Sequence, residues 1–191
     1  LMKLIKVIGS SLLIILALAF CLFLETFIEV DHWGFAVSVN FTFMMVFTLI
    51  FMSIFKPSYQ SSYFKSYPFE RDGKIYRWFG VTLFVRLLRL IGWEKLIRKD
   101  NPVNSRLELL KNYRYSTCGS EIIHLLAAVI VAGYTLRVAL QYSVYQIHWL
   151  ILFNILTNIY PVILQRYNRP RVDRVIARKA RFKLIAPNVS P

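Results

Sequence analysis

The polar and apolar positions of this chain alternate in long blocks, and four of the apolar blocks are long enough to form helices that cross a bilayer. At about 1.5 Å per residue, a helix needs roughly 20 apolar residues to cross a hydrocarbon core of about 30 Å. Residues 7–24, 33–55, 120–140 and 144–165 meet that requirement. An acidic link carrying Glu25, Glu29 and Asp31 joins the first pair, and a short turn with Tyr142 and Tyr145 joins the second. Between the pairs, residues 56–119 are polar and basic, and residues 166–191 form a basic tail. Ala17-Leu18-Ala19 lies inside the first apolar run, so this run reads as an uncleaved anchor.

A second periodicity lies within the last block. Asn154, Asn158, Pro161, Gln165 and Asn168 recur every three or four residues and form one polar stripe along an apolar helix. Such a stripe is expected to face something other than lipid. Arg169-Pro170 is expected to end this helix, because a residue before proline disfavours helical backbone. Residues 78–97 mix aromatic and aliphatic residues with Arg86, Arg89, Glu94 and Lys95, a pattern that predicts an amphipathic helix lying along the membrane interface. Asn101-Pro102 should break the chain, with a short helix starting at Ser105 or Arg106.

The expected fold is therefore an all-α membrane protein with four transmembrane helices and a cytoplasmic amphipathic interfacial helix, in a single domain over 1–191. Composition agrees, with 57% hydrophobic, 16% aromatic and 18% charged residues. The net charge of +14 raises the question of nucleic acid, but its distribution answers it. Two Lys/Arg precede Val7, thirteen lie from Lys56 to Arg114, and eight lie from Arg166 onward. Clustering in alternate connections is the positive-inside pattern, which places both termini and the 56–119 loop on the cytoplasmic side of the plasma membrane. No base-stacking motif accompanies the charge, so no nucleic-acid partner is expected. Cys21 and Cys118 fall in a span and in a basic loop, and neither reads as half of a disulfide.

The candidate chemistry is sparse. Glu121 and His124 are three residues apart and share a helix face, so the carboxylate can orient the imidazole as a general base. The same spacing also suits a purely structural pair. Pairing Leu140 with Tyr145 across the outer turn puts His124 level with Pro161, and Glu121 level with Leu164 and Gln165. Pro161 cannot donate to the Thr157 carbonyl, which is left for Asn158, water or a ligand. Arg86 and Arg89 can clamp phosphate or carboxylate, or snorkel to headgroups. Arg166, Asn168 and Arg169 present the same choice beside the polar stripe. Asn40 suits a helix-helix hydrogen bond, while Arg137 and His148 suit an outer interface. Three scattered histidines and two cysteines give no metal-ligand spacing, and there is no phosphate-cradling glycine loop or nucleophile elbow.

The block Asn154-Ile-Leu-Thr-Asn-Ile-Tyr-Pro-Val-Ile-Leu-Gln-Arg-Tyr-Asn-Arg169, with Tyr-Pro-Phe-Glu-Arg-Asp-Gly at 67–73 and Glu121-x-x-His124, resembles the small glycosyl-4,4'-diaponeurosporenoate acyltransferases over about 57–171. Members of that family are multi-pass bacterial membrane proteins that attach a fatty acyl group to the sugar of a carotenoid glycoside in staphyloxanthin synthesis. The resemblance implies an acyl thioester donor, either acyl-CoA or acyl carrier protein, and a lipid-like hydroxyl acceptor, with no bound cofactor. In that scheme His124 and Glu121 supply the base, Asn158 and Gln165 hold the carbonyl or sugar hydroxyls, and Arg166 and Arg169 bind the donor phosphates. The alternative is a non-catalytic lipid-binding or assembly subunit, with membrane-protein partners or further copies of itself packed on the polar stripe.

Overall fold

Backbone groups in lipid have no water to bond, so an apolar chain that spans it must close its hydrogen bonds internally as helix. A computed structural model describes residues 2–54, 61–93 and 107–185, and these residues contain helices and turns but no strand. The long helices are α1 (Met2–Leu24), α2 (Trp33–Ile54) and α4 (Leu107–Ala139), followed by α5 (His148–Asn154), a π turn (Ile155–Ile159) and α6 (Tyr160–Ile185). The last three run on without a break, so four helical segments are long and apolar enough to cross a membrane. Two short 3-10 segments, Ser62–Phe64 and Pro68–Arg77, precede the ten-residue helix α3 (Val81–Leu90).

Several boundaries differ from expectation. α4 starts at Leu107, so the third helix includes thirteen residues assigned to the loop; at about 50 Å it exceeds a bilayer core. The fourth helix starts at His148 rather than residue 144, and it passes through Pro170 instead of ending there. An interior proline removes one backbone bond, but flanking tertiary contacts outweigh that loss. Here Arg169 is enclosed over the Phe64 ring, and Asp173 accepts a hydrogen bond from Arg114 of α4 at 2.7 Å. Within the described part of the predicted 78–97 helix, α3 covers Val81–Leu90, with Gly80 in left-handed conformation just before it. Residues 94–97 and the break at Asn101-Pro102 lie outside the described residues.

The described chain clusters into two compact units, and two of the three divisions, at 120/121 and 162/163, fall inside helices. Unit 1 comprises 1–56 and 121–162. Its core is apolar, with Phe35, Val39, Phe43 and Val46 of α2 among Ala127, Val131, Tyr134 and Val138 of α4, and with Leu150 of α5. At one end Glu25, just past α1, accepts hydrogen bonds from the Tyr134 hydroxyl and the Arg137 guanidinium. Arg137 is therefore paired within the fold rather than simply anchored at an interface. Only 11% of the apolar α1 window is buried, which leaves most of that helix to lipid or to another protein.

Unit 2 comprises 57–120 and 163–191 and is held by buried charge. Arg114, 7% exposed, donates to Asp173 at 2.7 Å and to the Phe64 carbonyl at 3.0 Å, and it contacts the Cys118 thiol. The 67–73 block reverses direction through three left-handed residues, Arg71, Asp72 and Gly73. A Cβ on Gly73 would sit 2.8 Å from the Tyr167 carbonyl oxygen, so this turn lies directly on α6. Gly92 also has positive φ but has open space around it. Gly92→Ala is therefore expected to cost about 1–2 kcal/mol from backbone strain alone. Gly73→Ala should cost clearly more, because the α6 backbone must move as well. Thermal unfolding of the two variants in the same detergent measures the difference.

Candidate functional site

The polar seam of unit 1 is built from α2, α4 and the fourth helix. Asn158, fully buried, donates both Nδ2 hydrogens, to Asn40 Oδ1 at 2.8 Å and to Asn154 Oδ1 at 3.0 Å. Asn154 donates onward to the Ala128 carbonyl at 3.1 Å, and Asn40 donates to the Ala36 carbonyl at 2.8 Å. Thr157 Oγ1 lies 3.3 Å from Asn40 Oδ1 while donating to Phe153 at 2.8 Å. Asn40 thus makes the helix-helix contact its position suggests. Burying amides is costly unless they are bonded, and these amides satisfy most of one another's needs. Two polar atoms do not share in this: His124 Nδ1 and Asn158 Oδ1 are buried without a hydrogen-bond partner. The His124 ring lies against the Asn158 side chain and the Thr157 backbone.

The expected register put His124 level with Pro161, and the side chain beside it is Asn158, three residues earlier and almost one helical turn away. Two features account for the shift. The outer turn is longer than assumed because the fourth helix starts at His148, and the helix carries a π turn immediately before Pro161. Proline has no N–H for the Thr157 carbonyl, and the ladder there widens so that Tyr160 N–H bonds to the Ile155 carbonyl five residues back. π turns of this kind occur often at functional sites. Glu121 is fully buried, one turn from His124 on α4.

The remaining predicted residues belong to unit 2. Gln165 Nε2 donates to Ser120 Oγ at 3.4 Å, and Asn168 is half-buried. Arg166 donates to Glu70 at 3.4 Å and to the Tyr63 carbonyl at 2.9 Å, and its guanidinium lies 4.6 Å from the Tyr63 ring centroid. Glu70, 2% exposed, also accepts from the Tyr67 N–H at 2.7 Å and the Tyr76 hydroxyl at 2.6 Å. Arg169 is 2% exposed. Arg169 is therefore buried and Arg166 half-buried against groups of unit 2, where the sequence suggested binding of donor phosphates. Arg86 and Arg89 are exposed on α3.

Two residues here were not singled out from sequence, Glu70 and Asp173. Asp173 is the one acid in a strongly basic tail, and that isolation was the available signal. Glu70 stood within the 67–73 block, but its charge partner lies 96 residues away.

Asn40→Ala strips Asn158 of the Oδ1 acceptor that joins the two helices. The expected loss is about 0.6–2 kcal/mol, the usual range for hydrogen bonds between membrane helices. Reversible unfolding in mixed micelles measures it.

These features define a helical protein with four segments able to cross a membrane, a polar seam in one unit and a buried charge network in the other. A family model described as glycosyl-4,4'-diaponeurosporenoate acyltransferase matches residues 60–178, more than half of the sequence. The chain belongs to that family. The matched region takes in the 67–73 turn, α3, α4, α5 and most of α6, while α1 and α2 lie outside it. No curated protein and no solved structure matches the chain significantly.

Proposed function

We propose that the protein is a membrane acyltransferase that moves a fatty acyl group from a thioester, acyl-CoA or acyl carrier protein, onto a hydroxyl of a glycolipid or carotenoid glycoside at the inner leaflet. The family is named for acyl transfer to such a glycoside, which supports the reaction class. The observation that carries the residue assignment is the unpartnered His124 Nδ1 beside Asn158 at a π turn. Catalytic hydrogen bonds are often long before substrate binds and tighten in the complex. In this mechanism Asn158 Oδ1 accepts Nδ1–H and fixes the tautomer, which leaves Nε2 as the base. Nε2 takes the acceptor hydroxyl proton, the oxygen attacks the acyl carbonyl, and the C–S bond breaks as the imidazolium returns that proton to the leaving sulfur, which releases the carrier as its thiol. Glu121 supports the imidazolium that forms.

Arg166 and Arg169 are engaged in contacts within unit 2, which supports a role in holding its fold rather than in binding donor phosphates. The positive-inside distribution supports cytoplasmic termini in the plasma membrane, with α3 along the inner interface. Mass spectrometry of lipid extracts from cells with and without the protein tests the reading: an acylated lipid that disappears with the gene product supports it, and identical extracts exclude it.

One observation favours a second reading, that of a non-catalytic lipid-binding or assembly subunit. Asn40, Asn154, Thr157 and most of Asn158 are already used in helix association. Unchanged lipid extracts together with a stably co-purifying membrane partner would select it.

A further inference from the structure

α3 has three faces rather than two. Val81 and Phe84 are buried and Leu88 is half-buried, which forms the side turned into unit 2. Leu83, Leu87 and Leu90, spaced i, i+4, i+7, form a second row that is exposed, Leu83 by 70% and Leu90 by 85%. Thr82, Arg86 and Arg89 form a third row with the same spacing, also exposed and adjacent to the second. Trp78, 90% exposed, precedes the helix, and Trp93 follows it. A soluble helix would place polar residues over its whole outward side. This one places a leucine row there, flanked by cations and closed at both ends by tryptophan.

We propose that this outward surface of α3 docks into the headgroup region of an anionic bilayer, leucines toward the acyl chains and Arg86 and Arg89 on lipid phosphates. The inference rests on the placement of α3 along the inner interface and adds the lipid class and the residues that read it. Charge complementarity selects the occupant. From Lys74 to Trp93 there are four basic residues and no acidic one, which suits an anionic surface. A second copy of the chain would bring the same arginine row against itself, a repulsive match. Tryptophans at both ends suit the headgroup level, where an apolar ring with one N–H donor is half wet.

The test uses the full-length protein in bilayers, with a spin label on Leu83→Cys; Cys21 and Cys118 are fully buried and leave the introduced thiol as the reactive one. Contact with dissolved oxygen relative to a water-soluble nickel chelate reports depth. The label should move from nickel-accessible to oxygen-accessible when phosphatidylglycerol is mixed into phosphatidylcholine. In Arg86→Gln and Arg89→Gln backgrounds the preference for the anionic bilayer should fall roughly fivefold per residue. Leu90→Cys, on the same row, should report the same depth and guards against a local effect at one position. A label exposed to nickel in both bilayers overturns interfacial docking itself. A label equally deep in both overturns the anionic requirement while leaving the interfacial placement intact. A label shielded from oxygen and nickel alike means that protein covers this surface, and also overturns the proposal. None of these results depends on acyl transfer, so the proposal stands or falls separately from the reaction.

Discussion

His124→Ala is expected to lower acyl transfer by about 10²–10⁴-fold, the range that a positioned general base contributes. The loss should appear in kcat, because the imidazole acts on a proton that moves only in the reaction. His124→Gln keeps hydrogen-bonding capacity without basicity and should lose as much, which separates proton transfer from simple positioning. His32→Ala, at an exposed position between α1 and α2, should leave the rate unchanged. Asn158→Ala is expected to lower the rate less than His124→Ala, since it removes the tautomer-fixing acceptor but not the base, and to lower stability through Asn40 and Asn154. The assay is transfer of a radiolabelled acyl chain into extracted lipid with purified protein in bilayers. Wild-type rates in His124→Ala would remove the residue from the chemistry.

The second large effect is on stability. Glu70→Ala is expected to destabilise the protein by about 3–5 kcal/mol, the usual consequence of removing one partner of a buried ion pair and leaving the other charge uncompensated. Three groups lose an acceptor together: Arg166, the Tyr76 hydroxyl and the Tyr67 N–H. The left-handed turn at Arg71 and Asp72, costly on its own, directly follows that carboxylate and lies between two of its partners, Tyr67 and Tyr76. Glu70→Gln retains an acceptor oxygen and should lose less. Denaturation followed by tryptophan fluorescence reads both variants, and an unaltered Glu70→Ala midpoint would show that the network is dispensable.

The spans could be read from sequence because apolar length is a local property, independent of what the helices later pack against. The neighbourhood of His124 could be read nearly as well, since a short connection forces antiparallel helices. It was misplaced by almost one turn because two backbone details, the start at His148 and the π turn, leave no mark in hydropathy. Pro161 disturbs the helical ladder as its chemistry implies, whereas the helix runs on through Pro170, anchored by Arg169 over the Phe64 ring and by Asp173 on Arg114. The arginines were the hardest to read. A guanidinium looks the same in sequence whether it meets solvent or a buried carboxylate, and the residue that decides between them for Arg166 is Glu70. Amphipathicity of 78–97 was visible, but the division of α3 into three faces required knowing which side unit 2 covers.

The separation of Glu70 from Arg166 also has a consequence in time. A ribosome adding about 5–20 residues per second takes roughly 5–20 s to make the 96 residues between them. During that interval the nascent turn holds a carboxylate whose cation has not been synthesised. Unit 2 can close only after α6 has emerged, so a chaperone or membrane-insertion factor that shelters the 67–73 segment during translation would act on a buried carboxylate that must wait for the last helix.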